Sequence, residues 1–364
     1  MKILYLITGL GGGGAEKVVV DLADQMVQLG HEVKIAYLKG EVIVELRHKE
    51  IELVYLKLEI IKDIKSAYQN YKKLLESFKP DVVHAHMVHA NIFSRISRKF
   101  SPIPRLICTA HSNNEGGKLR MLAYKLTHDM ADMTTNVSTS ACESFEKLGA
   151  VPKSGIYTVY NGIDLNKFKF SSESRINIRS ELELNTNKVM ILAVGRFHEA
   201  KNFLGLIRAF KKVIEKNTQN QPELIIAGDG ELRLEIEQLI QALNLTAHVK
   251  LLGRRDDIPA LMSAADLFVL SSNFEGFGLV VAEAMACKTF VVATDCGGVK
   301  EVMGGYGLMS PVNDMNALAK ELSGAIQMSH LERQRNNELA LKYVKDNFDL
   351  KIIVNQWLET YESK

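Results

Sequence analysis

Two carboxylates eight positions apart, Glu275 and Glu283, flank a glycine-bearing turn in the segment EGFGLVVAE. The run LFVLSS ahead of them is strand-like, and the apolar residues after Gly278 read as a helix. A buried strand that ends at a helix N-terminus is where open α/β sheets bind anionic ligands, because unpaired amides and the positive end of the helix dipole converge there. Glu283 falls about one and a half turns into that helix, so the two acids are placed to bracket a ligand at its mouth. Taken alone, the pair is equally readable as two solvated acids, and its surroundings decide between the readings.

A second group lies upstream. The strand-like run VMILAVG ends in GRFHEAKN, which puts Arg196 and Lys201 around the start of the next helix. Two cations at the C-terminal edge of a strand suit a diphosphate, Arg offering a planar fork and Lys a compact point charge; a structural pairing with helix carboxylates is the alternative. No D-x-D occurs in the chain, so a divalent metal clamped by paired aspartates is not expected and the cations are expected to neutralise the charge instead. Near the N-terminus, five of the six residues from Gly9 to Gly14 are glycine and a helix follows at once. Such a turn brings its amides close to a diphosphate, although a turn needed only for packing reads the same way. A dinucleotide cofactor would also need an acid about twenty residues on, at the end of the second strand. That strand ends YLKG, with Glu41 27 positions beyond Gly14, so neither a nicotinamide nor a flavin is expected, and no cofactor.

The elements that must position these residues alternate throughout. Apolar runs such as KILYLIT, EVKIAYL, DVVHAH and RLICTAH are each followed by helical segments, which implies parallel sheets covered on both faces. A polar stretch, SSESRINIRSELELNTNK, lacks strand character and reads as an inter-domain linker, after which the alternation restarts at VMILAVG. The chain of 364 residues exceeds what one hydrophobic core usually serves, so two doubly wound domains are expected.

With 46% hydrophobic and 24% charged residues the composition is that of a globular protein, and no apolar run is long enough to span a bilayer. The N-terminus reads as the first strand and not as a signal peptide, and the expected location is the cytoplasm. Cys108, Cys142, Cys287 and Cys296 show no C-x-x-C spacing, which argues against a disulfide framework or a zinc site and for reduced packing residues. A net charge of +2 does not suggest nucleic acid. Residues 1–160 carry 21 Lys and Arg against 17 Asp and Glu, with the basic excess in IIKDIKSAYQNYKKLLESFK, FSRISRKFSPIPR and KLRMLAYKLTH. There cations alternate with Ile, Leu, Phe and Tyr near helical spacing, a pattern that suits peripheral contact with an anionic membrane surface and equally a solvated helix face.

The motifs GGGGAEKVV with GHEV, HS after RLICTA, NGID, GRF followed by KN, GDGELR, EGFGLVVAEAMA and DCGGVKEV, in this order and spacing, resemble family 4 of the retaining glycosyltransferases over nearly the whole chain. The resemblance implies the GT-B fold: an acceptor-side Rossmann-like domain over residues 1–165 and a nucleotide-sugar-binding one over 166–348, facing across a deep cleft. A crossover helix over 349–364, carrying the single Trp, would pack back on the first domain.

The implied activity is metal-independent transfer of a hexose or N-acetylhexosamine, with retained configuration, from a nucleotide sugar, most often UDP-linked. The acceptor would be a hydroxyl of a glycan or lipid-linked saccharide in lipopolysaccharide, O-antigen or capsule synthesis, at the cytoplasmic face of the membrane. By the same resemblance Arg196 and Lys201 look like diphosphate binders, Glu275 like the acid holding the donor hexose, and Glu283 like the acceptor of the ribose hydroxyls. The amides of Phe277, Gly278 and Leu279 would touch the sugar or phosphate, and Gly12 and Gly13 the diphosphate. His111 resembles the family's sugar-contacting His; a lone His is more often a satisfied core or surface residue, but its place at a strand's C-terminal edge favours the ligand role. Arg254 is a candidate for the nucleobase, with Arg255 and Asp257 equally open. A nucleotide-sugar epimerase, needing further acid/base carboxylates, and a non-catalytic sugar-binding protein are the competing classes.

Overall fold

The computed structural model describes residues 1–185, 187–216 and 221–363; Thr186, inside the expected linker, and Lys364, at the end of the expected crossover helix, lie outside the described residues. The chain divides into two compact units, Met1–Gly162 with Leu350–Lys364, and Ile163–Asp349.

In the first unit the order is β1 (Lys2–Ile7), α1 (Gly14–Gln28), β2 (Glu32–Tyr37), β3 (Glu52–Tyr55), α2 (Ile64–Phe78), β4 (Val82–His86), α3 (Val88–Ser97), β5 (Leu106–Ala110), α4 (Lys118–Thr127), β6 (Met133–Asn136), α5 (Thr139–Lys147) and β7 (Tyr157–Thr158). The second unit runs α6 (Ser172–Glu181), β8 (Met190–Val194), α7 (Phe203–Lys216), β9 (Glu223–Ala227), α8 (Arg233–Ala242), β10 (Val249–Gly253), α9 (Ile258–Ala264), β11 (Leu267–Leu270), α10 (Leu279–Ala286), β12 (Phe290–Thr294), α11 (Val299–Met303), β13 (Leu308–Ser310), α12 (Met315–Gln327) and α13 (His330–Phe348). A last helix, α14 (Leu350–Glu362), returns to the first unit.

The strands of the described residues form two parallel sheets, ordered β3-β2-β1-β4-β5-β6-β7 and β10-β9-β8-β11-β12-β13. Both are the doubly wound sheets expected from the alternation. Strands such as β11 and β12 are buried at every position, which is why they read as nearly continuous apolar runs and not as alternating ones, whereas β4, equally buried, carries His84 and His86. In each sheet the winding reverses once, between β1 and β4 in the first and between β8 and β11 in the second. Connections leave such a pair in opposite directions, so a crevice opens at its C-terminal ends, and there ligands of open α/β sheets sit.

The stretch read as a linker is a correction. Residues Ser172–Glu181 form α6, a helix of the second unit capped by Ser171, whose hydroxyl accepts from the amide of Ser174. Its sequence is polar because ion pairs hold it more than an apolar stripe does. The Arg175 and Arg179 guanidinium groups reach the two oxygens of Asp266 at 2.6 and 3.2 Å, and they also donate to the carbonyls of Ala264 and Lys188, each at 2.6 Å. A helix anchored through two arginines to the start of a buried strand leaves little hydrophobic periodicity to detect.

In the first unit α14 buries Leu350, Ile353, Val354, Trp357 and Tyr361. The Tyr361 hydroxyl lies 2.7 Å from His84 Nδ1 and 3.2 Å from the Tyr5 hydroxyl, which ties the helix to β4 and β1. The four cysteines are free and buried, as expected, and burial pushes the Cys287 and Cys296 thiols up to about 12, far from thiolate chemistry. Among the described residues no helix is long and apolar enough to cross a membrane.

Candidate active site

In the second unit the reversal point is occupied by charged side chains. After β8 the chain makes a single helical turn, Glu199–Lys201, and Asn202 in the left-handed region (φ 50°) starts α7. Lys201 Nζ stands 2.6 Å from Glu275 Oε1 on the loop after β11. The same carboxylate oxygen accepts a hydrogen bond from Ser272 Oγ at 2.6 Å, while Ser271 Oγ donates to the Lys201 carbonyl at 2.8 Å. The Asn273 amide donates to the Ala200 carbonyl at 2.7 Å, so the two loops are laced together by backbone as well as by charge. The Glu275 side chain is only 11% exposed, and such a desolvated, doubly donated carboxylate is held rigidly.

A third loop supports this one. The Gly298 amide donates to the Gly276 carbonyl, and a Cβ on Gly297, whose φ is +53°, would collide with the Glu275 carbonyl. Glycine is needed at 297 for both reasons, conformation and close approach. Gly278 (φ +93°) turns the chain into α10, so the helix opens directly beside Glu275 with the first-turn amides at its mouth. Glu283 sits within α10 and is 4% exposed. The Phe277 ring is buried edge-on against Phe348, 5.3 Å between centroids, so only its backbone is offered to a ligand.

Arg196 is not joined to this pair. It follows β8 with 73% of its side chain exposed, and its partner is Glu231, 3.3 Å away. His198 approaches the same Glu231 at 3.7 Å.

In the first unit Gly12 adopts φ +86° and Gly13 caps α1. The Glu16 carboxylate accepts from the backbone of Gly13, and burial holds its carboxyl above the usual range. An anion at this helix mouth therefore meets an acid that the spacing of glycines did not reveal. His111 follows β5, with Nε2 3.0 Å from His86 Nδ1 and its amide donating to Glu115 Oε1 at 2.8 Å. Buried Glu115 also accepts from the Val88 amide at 3.1 Å and thereby clamps the β4 and β5 ends together. Burial lowers His111 to about 4, so its imidazole is neutral at physiological pH.

The glycosyl transferases group 1 family model matches residues 174–340, and the glycosyltransferase family 4 model matches residues 12–167. An Escherichia coli UDP-Gal:alpha-D-GlcNAc-diphosphoundecaprenol alpha-1,3-galactosyltransferase is 31% identical over 277 residues, covering 73% of this chain and 71% of its own. The chain belongs to the family 4 glycosyltransferases. A Campylobacter jejuni N-acetylgalactosamine-N,N'-diacetylbacillosaminyl-diphospho-undecaprenol 4-alpha-N-acetylgalactosaminyltransferase is 27% identical, covering 93% of each chain. Anabaena HepE in complex with UDP and glucose superposes with a TM-score of 0.85 at 24% identity over the full length of both chains, a likeness of fold, here GT-B.

In this glycosyltransferase the structure gathers Lys201, Glu275, Phe277, Gly278 and Leu279 around one helix mouth, and it places Glu283 in the same helix. Ser271, Ser272, Gly297 and Glu231 were not singled out from sequence. Ser272, three residues before Glu275 at a strand's end, carried a usable signal, whereas Gly297 makes its contact only through folding. Arg254 is exposed after β10. Arg255 is engaged by Asp257 at 2.6 and 2.7 Å and by Glu181 at 2.6 Å.

Proposed function

We propose that this glycosyltransferase moves a hexose or N-acetylhexosamine from a UDP-linked donor to a hydroxyl of a lipid-linked saccharide, with retained configuration and without a metal, in the assembly of a surface polysaccharide or lipopolysaccharide. The observation that carries the reading is the Lys201–Glu275 pair at the reversal point of the second sheet, beside the mouth of α10. Arg196 and Lys201 neutralise the diphosphate as it leaves, the amides of Phe277, Gly278 and Leu279 add donors, Glu275 holds the hexose, Glu283 takes the ribose hydroxyls, and Arg254 lies at the nucleobase. In the first unit Gly12 and Gly13 meet the diphosphate and His111 the transferred sugar. Charge separates between an oxocarbenium-like sugar and the diphosphate, and fixed cations and amides stabilise that separation without reorganising. Glu275 Oε1 already accepts from Lys201 and Ser272, which suits holding the sugar better than attacking it. The acceptor oxygen bonds to C1 on the face from which the diphosphate departs, and its proton passes to the leaving phosphate oxygen.

The donor class is supported by the E. coli relative, named for UDP-Gal, and by the UDP and glucose bound to HepE. The acceptor class is supported by the undecaprenol-linked substrates in the names of both relatives. Thermal shift and diphosphate release across UDP-, GDP- and ADP-linked sugars test it. One UDP-sugar at a hundred times its Kd is expected to stabilise the protein by about 2.7 kcal/mol. UDP release should then require an acceptor and persist in EDTA. A panel in which nothing binds, or in which EDTA abolishes turnover, would remove the donor or the metal-free assignment respectively.

The same reading places the enzyme in the cytoplasm, against the inner face of the membrane. Helix α4 buries Met121 and Tyr124 but exposes Leu119, Leu122 and Leu126 by 83%, 49% and 69%. Lys118, Arg120 and Lys125 are exposed among them, and no acid occurs between Gly116 and His128. An apolar stripe with cations set among its leucines suits the interface of an anionic bilayer. Replacing the three leucines by serine is expected to lower binding to phosphatidylglycerol vesicles at least about ten-fold, at about 0.8 kcal/mol for each buried methylene lost, while soluble turnover is kept. Equal vesicle binding by both proteins would exclude this helix.

A further inference from the structure

His86 ends β4 and His111 follows β5; the two strands are paired with His86 opposite Thr109, so the rings of His86 and His111 fall on one face of the sheet. His86 Nδ1 and His111 Nε2 are 3.0 Å apart, with ring centroids at 5.3 Å. His86 is fully buried, its ring 3.9 Å from that of His84, and its second nitrogen, Nε2, is enclosed without a partner. Burial keeps His86, like His111, well below the usual His range, so both rings are neutral and each carries one N–H.

Only two proton arrangements satisfy the contact. If His111 Nε2–H donates, neutral His86 must carry its own proton on Nε2, where it has no acceptor. If His86 Nδ1–H donates, Nε2 keeps only a lone pair in the enclosed space. Either arrangement leaves His86 Nε2 unpaired, as a donor in the first and as a single lone pair in the second, and we take the second by the preference seen among buried backbone groups, where an orphaned N–H is the rarer of the two. The Glu115 carboxylate, bonded to the His111 amide, fixes the backbone from which the ring projects.

We propose that His86 is a positioning residue that holds His111 as the Nδ1–H tautomer, so that His111 offers a hydrogen-bond donor, and not a base, to a hydroxyl or ring oxygen of the sugar at the end of β5. The functional half of this inference rests on the reading of His111 as the contact to the transferred sugar, whereas the tautomer does not. The orientation of a catalytic-site imidazole is commonly set by such a second hydrogen bond at the other nitrogen.

The wild-type protein, labelled with 15N-histidine and read by long-range 1H–15N correlation near pH 7, should show the His111 proton on Nδ1 and the His86 proton also on Nδ1, with His111→Ala supplying the assignment. A His111 proton on Nε2 overturns the proposal, with or without an active transferase. In turnover, His86→Leu is expected to lower kcat/KM about ten-fold, the worth of one neutral hydrogen bond, and His86→Asn, whose amide nitrogen takes the place of Nδ1, to stay within about three-fold of wild type. Equal losses in the two variants at wild-type Tm would reject the positioning role. If either variant fails to fold, or no donor is turned over, the wild-type spectrum still decides the tautomer.

Discussion

Arg196→Ala is expected to lower kcat/KM about 100- to 1000-fold, the usual cost of removing one preorganised group that stabilises transition-state charge, and to move Tm by no more than about 2 °C. The contrast follows from its surroundings. Its side chain is 73% exposed and its partner Glu231 is also solvent-facing, so the folded state draws little from the pair, whereas a departing diphosphate would draw much. Lys201→Ala should lose a similar factor in turnover but also destabilise the protein by about 1 to 3 kcal/mol, because it leaves the nearly buried Glu275 with Ser272 as its side-chain donor. A double-mutant cycle separates the two roles of the lysine. If it only anchors Glu275, its removal costs nothing further in a Glu275→Ala background; if it also neutralises the diphosphate, a loss of at least about ten-fold remains. Wild-type kcat/KM in Arg196→Ala would withdraw the diphosphate assignment, whatever the lysine does.

Gly297→Ala is expected to destabilise the second unit by about 2 to 4 kcal/mol, combining left-handed strain with a collision against the Glu275 carbonyl. That corresponds to a fall of roughly 5 to 15 °C in Tm. Gly305→Ala provides the comparison: its φ is +88° but nothing lies within 4 Å of the added Cβ, so only the strain of about 1 to 2 kcal/mol remains. Because the collision is with the residue that grips Lys201, Gly297→Ala should also lose turnover at temperatures where it is still folded, and Gly305→Ala should not. Equal Tm shifts and equal kcat/KM in the two variants would show that the Gly297 loop does not hold Glu275 in place.

The alternation of apolar runs with helical segments was enough to obtain two parallel, doubly wound sheets, because strands buried on both faces, such as β11 and β12, are nearly continuous apolar runs. Motif order was enough to reach the family, since backbone turns such as those at Gly12 and Gly278 demand a residue type that is visible in one dimension. Contacts were another matter. Lys201 and Glu275 are 74 residues apart and meet because β8 and β11 are neighbours, a consequence of strand order that no local pattern encodes. His86 and His111 are 25 apart, His84 and Tyr361 277 apart, and each pair depends on elements packing together. Sequence reads Arg254, Arg255 and Asp257 on equal footing, and only the folded chain shows the ion pairs that join Arg255 to Asp257 and Glu181. Helix α6 was lost to the linker reading for the same reason: its stability comes from Asp266, about ninety residues away, and periodicity reports only what a segment buries by itself.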